Sequence, residues 1–219
     1  MKKRKCCWPG ILFMLLFMLP ICGVNANAAS KKIKKETLNT SVKNFMKQAK
    51  AFNLKGIRSR VADFGEYELV YTTQSSGDAM YKYYKKCAKK MTYKVLSKQK
   101  KDKNTYVVKL RVRYVNSRQF TEKLVEKMSN DMLSGKLEIE KMLEMSEKEL
   151  LKYANSLVRY ADKSVKKTKY RTQTIKITFV RKGNKWKVKK MTRSLDNVLE
   201  ANVPASLEKM MGDLFALQK

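Results

Sequence analysis

The chain has 219 residues, with 50 Lys and Arg against 19 Asp and Glu, four cysteines, eight glycines and no histidine. The missing histidine excludes Ser-His-Asp and Cys-His nucleophile activation, His-ligated zinc and imidazole proton shuttling, and no glycines are spaced as in a phosphate-binding loop. A formal net charge of +31 sets up a field that attracts polyanions.

Met1–Gly10 carries Lys2, Lys3, Arg4 and Lys5, Ile11–Val24 is almost wholly apolar, and Ala26-Asn27-Ala28 ends in small residues. Basic, apolar, then small is the layout of a secretory signal peptide, so residues 1–28 are expected to direct export from a bacterial cell and to be cleaved after Ala28. As a helix, Ile11–Val24 would span roughly 21 Å at about 1.5 Å per residue, short of a bilayer core of about 30 Å. The alternatives are a retained membrane anchor, or a lipoprotein modified at Cys22 within Leu19-Pro20-Ile21-Cys22, where bulky Ile21 stands in place of a small residue. Cleavage would leave Cys87 as the single cysteine, with no internal disulfide, and its place on an apolar helical stripe marks it as a small core residue.

Residues 29–36 are rich in lysine and read as a flexible basic lead-in, and residues 37–219 as a single α+β domain. Leu38, Val42, Phe45, Met46, Ala49 and Phe52 recur at helical spacing, with Gly56 placed to end that helix. Glu66–Thr73 alternates as a short strand, Ser75-Ser76-Gly77 turns the chain, and Asp78 is positioned to cap a second helix bearing Met80, Tyr83, Tyr84, Cys87, Ala88 and Met91. Two strands follow, Thr92–Lys100 and Thr105–Asn116. In the second, Tyr106, Val108, Leu110, Val112 and Tyr114 alternate with Lys109, Arg111 and Arg113. A helix over Ser117–Leu133 ends at Gly135. Ser146 and Glu149 form a capping box for another helix, with Leu150, Tyr153, Ala154, Leu157, Val158 and Ala161 on one side. Ile175, Ile177 and Phe179 alternate into a turn at Gly183-Asn184, from which Trp186 and Val188 return inward, and Pro204 opens a last amphipathic helix. The expected architecture is an antiparallel sheet of two hairpins plus a short strand, covered on one face by amphipathic helices, with a helix pair inserted between the hairpins.

Charge is segregated along this order. Lys82–Arg113 holds thirteen bases and one acid, Asp102, and Lys163–Arg193 holds thirteen bases and no acid. Arg118–Glu149 between them holds eight acids and six bases, and an amphipathic helix pair of that sign is expected to dock on the protein's own basic surface, the alternative being a partner. If the apolar alternates of both hairpins face the helices, Lys94, Lys98, Lys109, Arg111, Arg113, Lys176, Lys185, Lys187 and Lys189 project together from the opposite face. Neighbouring strands are about 4.8 Å apart and same-face residues about 7 Å apart along a strand. Such a platform suits a repeating anionic cell-wall polymer or an anionic membrane surface. Nucleic acid is disfavoured, because Tyr106, Tyr114, Phe179 and Trp186 alternate away from the lysines instead of standing among them for base stacking. No catalytic, cofactor-binding or metal-binding residue is assigned, no cofactor is expected, and no pattern fixes an oligomeric state.

The order of elements, closing in Phe179-Val180-Arg181-Lys182-Gly183-Asn184-Lys185-Trp186-Lys187-Val188, resembles the nuclear-transport-factor-2-like superfamily of cone-shaped α+β domains. That family commonly ends in a hairpin with an aromatic residue, Gly, Trp and Val at these spacings, and the helix pair over Ser117–Lys163 would be an insertion. The resemblance implies a cone-shaped fold and allows an alternative role, a small-ligand-binding or isomerase-like enzyme with a carboxylate in the cone pocket. Asp63, Glu66 and Glu68 lie near the first strand for that purpose, with Tyr67, Tyr71, Tyr83 and Tyr84 as hydrogen-bond donors. Because the family also contains many non-catalytic modules, the resemblance implies no single function.

Overall fold

The computed structural model describes residues 35–67 and 78–216. The first apolar stripe forms α1, Leu38–Ala51, with the Thr37 hydroxyl accepting from Thr40 N at its start. The helix ends earlier than Gly56. Phe52 takes the left-handed conformation (φ 45°), and its N–H donates to the Ala49 carbonyl. That conformation costs a residue other than glycine about 1–2 kcal/mol, which is offset by full burial of the Phe52 ring against Tyr81 and Tyr84. Gly56 instead lies inside a second short helix, α2 (Leu54–Arg58), where an added Cβ would come 2.1 Å from Gln48 Oε1.

The strand expected over Glu66–Thr73 does not begin as one. Gly65–Tyr67 is a 3-10 turn, and Glu68–Thr73 with the Ser75–Gly77 turn lies outside the described residues. The extra strand-like pairing comes earlier, where Val61 makes a parallel bridge to Val188, flanked by Val188 N to Arg60 O and Ala62 N to Val188 O. Helix α3 (Ala79–Lys89) then buries Met80, Tyr83, Tyr84, Cys87 and Ala88. Asp78 occupies its N-cap position but makes no side-chain cap bond. The Ala79 N–H donates instead to Asn155 Oδ1, 2.6 Å away and far along the chain.

Strands β1 (Thr92–Asp102) and β2 (Thr105–Val115) form the first hairpin, and β3 (Tyr170–Lys182) and β4 (Lys185–Val188) the second. Gly183, at φ +59°, permits the tight turn between β3 and β4. Antiparallel pairing of β2 with β3 joins the hairpins into one four-stranded sheet in the order β1-β2-β3-β4. The connection from β2 to β3 runs through α4 (Arg118–Leu133), α5 (Ile139–Glu144) and α6 (Glu147–Ser164), and the chain closes with α7 (Arg193–Leu199) and α8 (Val203–Ala216). Helix α6 carries the expected Ser146–Glu149 capping box. The short helices α5 and α7 have too few turns to leave a periodic stripe in the sequence. Residues 1–28, expected to be a signal peptide, lie outside the described residues, and among those described no helix is long and apolar enough to cross a membrane.

One face of the sheet is dry. Val108, Leu110, Val112, Tyr114, Ile175, Ile177, Phe179, Trp186 and Val188 are buried in a core shared with Val42, Phe45 and Met46 of α1 and with α3. Phe45 meets Phe179 edge to face at 6.4 Å, and Ser41 Oγ accepts from the Trp186 backbone N–H. The protein is therefore α+β, a four-stranded antiparallel sheet with helices against one face.

Candidate polyanion interface

Because side chains alternate along a strand and directly paired residues share a face, the register assigns each cation to a side. Burial of Val108, Leu110 and Val112 turns Lys109, Arg111 and Arg113 to the opposite face. Lys94 pairs with Arg111, and Lys176 pairs with Lys109. Lys187 pairs with Val180, Lys185 pairs with Lys182, and the Lys189 N–H reaches the carbonyl of Thr178. Eight of the nine cations expected on the wet face are thus brought together there, and Lys182 joins them.

Lys98 is the exception. A register shift between Val95 and Ser97 places Leu96 in a bulge, after which Ser97 pairs with Lys109 and Lys98 pairs with core-facing Val108. The extra residue reverses the parity of the strand. Lys98 therefore stands on the helix side, at a crevice of about 230 Å³ lined by Asn39, Val42, Lys43, Tyr93 and Val95.

The wet face has an unusual electrostatic arrangement. Lys109 lies directly across from Lys176, Lys94 from Arg111, and Lys182 from Lys185. Like charges in direct cross-strand pairs destabilise a sheet. None of these cations makes an ion pair with a described residue, since the ion pairs among described residues join other groups, chiefly within the helices. Arg113 is engaged differently, with its guanidinium 3.5 Å from the centre of the Tyr170 ring. Thr172, Thr174 and Thr178 share the face, paired with Arg113, Arg111 and Val107. Asp102, at the β1–β2 turn, has a carboxyl that accepts from Asn104 N and is held below the usual carboxylate range by hydrogen bonds from Asn104 and Thr105 and, less, by the charge of Lys189 on this face.

The acidic segment does not cover this surface. Helices α4 and α6 pack on each other, α6 also on α3 and α4 on α8. Glu122, Glu126, Asp131 and Glu138 pair with Arg118, Lys123, Lys127 and Lys141 of the same segment, so its charge is largely balanced locally.

Of the carboxylates considered for a cone pocket, Asp63 and Glu66 are exposed, and Asp63 accepts from Gly65 N in a local turn. Glu68 and Tyr71 lie outside the described residues. Tyr67 is pushed up to about 12, first by burial and then by Glu66. Tyr83 donates to Ser117 Oγ at 2.7 Å. Tyr84 donates to Glu200, a carboxyl that the sequence reading did not single out. Glu200 is 3 % exposed, its Oε1 has no hydrogen-bond partner among the described residues, and Asp196 lies close by. The sequence conceals it: Arg193, Asp196, Asn197 and Glu200 recur at i, i+3, i+4 and i+7, a spacing that reads as a solvated helix face. A cleft of about 50 Å³ beside Tyr83, Cys87 and Ser117 does not include Glu200 in its walls. Cys87 is buried, and burial pushes its thiol up to about 11, away from thiolate chemistry. Among the described residues no cluster of acidic or cysteine side chains is arranged to hold a metal ion.

No family model matches the chain, and neither a curated protein nor a solved structure is similar to it.

Proposed function

We propose that this is a secreted, non-catalytic protein of the bacterial cell envelope that contacts anionic polymers or lipid headgroups through the lysine-rich face of its sheet. The observation that carries the reading is the set of direct cross-strand pairs Lys109–Lys176, Lys94–Arg111 and Lys182–Lys185 on a face that no described helix covers. A sheet whose partners repel one another is relieved by an anion lying between them, and local rules of stability are typically broken where a ligand acts. The leader over residues 1–28 supports export, and a cell surface offers wall phosphodiesters and anionic headgroups as targets.

The nuclear-transport-factor-2-like resemblance belongs with this proposal as a fold assignment. It is supported by the antiparallel order of the two hairpins and by the inward aromatic and tryptophan of Phe179–Val188. The isomerase-like alternative draws no support from Asp63 and Glu66, which are solvent-facing. Nucleic acid is also unsupported, since Tyr114, Phe179 and Trp186 are buried and Tyr106 packs edge-on against Trp186.

Retention of the purified protein on isolated cell wall and on immobilised polyphosphate, measured at rising salt, tests the reading. Binding at low salt that is progressively lost through moderate salt is expected, because exposed charges are screened over about 10 Å at 0.1 M. No binding at low salt, or binding indifferent to salt, would count against it. Sequencing the amino terminus of the product from medium, wall and membrane fractions should give a start near Ala29.

A further inference from the structure

Resting on that reading, we infer that the face is built for a flexible, base-free phosphodiester polymer, not for a membrane surface. The three physical grounds are chemistry, apolar content and shape.

Lysine is a compact point charge suited to phosphate, and threonine hydroxyls donate to phosphate oxygens. Thr174 is paired with Arg111, and Thr178 shares the Lys176 face two residues along β3, so charged and hydroxyl donors interleave across β2 and β3. Along a strand these donors recur at about 7 Å and between strands at about 4.8 Å. A phosphodiester chain with a short alditol spacer repeats on the same scale. Its charges can settle between Lys94 and Arg111, then between Lys109 and Lys176, relieving each repulsion in turn.

Peripheral membrane surfaces combine basic residues with Trp, Phe or Leu that enter the headgroup layer. Here the middle of the face carries no exposed large apolar side chain. The exposed ones in the sheet are Leu96, in the edge bulge, and Tyr170, at the end of the face where β3 begins, whose ring is covered by Arg113. The same lack of free aromatics leaves bases nothing to stack on.

Shape points the same way. Adjacent strands twist by roughly 20–25°, so four strands turn through about 60–75° from one edge to the other. A flat bilayer touches only part of such a saddle, whereas a flexible chain follows it.

The test compares the purified protein on three probes at matched charge and salt: poly(glycerol phosphate), polygalacturonate, and vesicles of equal parts phosphatidylglycerol and phosphatidylethanolamine. Tightest binding to poly(glycerol phosphate) is expected, by about tenfold over vesicles, with log Kobs falling against log salt at a slope of about −3 for some four or five neutralised phosphates. Lys109→Gln with Lys176→Gln should lower that slope by about 1.4. Thr174→Val with Thr178→Val, close in shape and at partly or fully exposed sites, should weaken poly(glycerol phosphate) several-fold while leaving polygalacturonate unchanged. Circular dichroism confirms that each variant is folded. Vesicle binding equal to or tighter than polymer binding would overturn the polymer assignment and leave the proposed function standing, as would equal affinity for polygalacturonate. Binding to none of the three at low salt would overturn the proposed function itself. Polymer binding that both double variants leave intact would move the site off this face.

Discussion

Glu36 and Glu200 are both withdrawn from water, and their partners give them opposite responses to pH. Burial alone would raise Glu36, but hydrogen bonds from Arg60, Asn44 and Ser41, with the Arg60 charge, outweigh it and hold the carboxyl below its ordinary value. Its contribution to stability is therefore present above the unfolded value of about 4.3 and lost as pH falls through the folded one. Glu200 is raised well above the ordinary range, first by burial and then by the charge of Asp196, with the Tyr84 hydroxyl offsetting part of the shift. Its contribution is complete below the unfolded value and declines as pH rises through the folded one. Glu200→Gln keeps the shape and removes the charge. The melting temperature of that variant should match the wild type near about pH 4 and exceed it near about pH 8, by a margin reflecting about 1–3 kcal/mol. Parallel pH curves for the two proteins would refute this account of Glu200.

At the scale of elements, the like-charge pair Lys109–Lys176 sets stability against binding. Lys176→Thr should stabilise the free protein by about 0.2–1 kcal/mol, read by urea unfolding, while weakening polyanion binding. A loss of stability would mean that the pair is not repulsive. The bulge at Leu96 gives a second contrast. Lys98→Glu, on the helix side, should change polymer affinity by less than about threefold at physiological salt, whereas Lys109→Glu should lower it about tenfold or more. Asn155→Ala, which removes the acceptor for Ala79 N, should cost about 1 kcal/mol of stability, as loss of a helix cap does.

These elements also mark how far the sequence is legible. The alternation of Val108, Leu110 and Val112 against Lys109, Arg111 and Arg113 declares both faces of β2, and Ile175, Ile177 and Phe179 do the same for β3. In β1 no apolar residue follows Leu96 to report parity, so a one-residue bulge there leaves no trace and Lys98 is assigned to the wrong side. The Lys109–Lys176 repulsion depends on the β2–β3 register, which is set by two strands separated by three helices. The Asn155 cap is likewise a tertiary contact, invisible where local sequence offers Asp78 as the obvious cap.

Over the whole molecule, charge is sorted by architecture. The helical segment from Arg118 to Glu149 balances its acids with its own bases, while the sheet presents cations without ion-pair partners among the described residues. A ligand that binds this face only in the folded state must stabilise the fold, by about 2.7 kcal/mol at a hundredfold excess over Kd. Thermal unfolding with added poly(glycerol phosphate) should show that increase, and Lys109→Gln with Lys176→Gln should reduce it. The most direct test of the cationic face is an amide chemical-shift titration of the protein with poly(glycerol phosphate). Shifts concentrated at Lys94, Lys109, Arg111, Thr174 and Lys176, with α4 to α6 unmoved, are the predicted result. Shifts centred on those helices or on the Lys98 crevice, with the β2–β3 face silent, would contradict it.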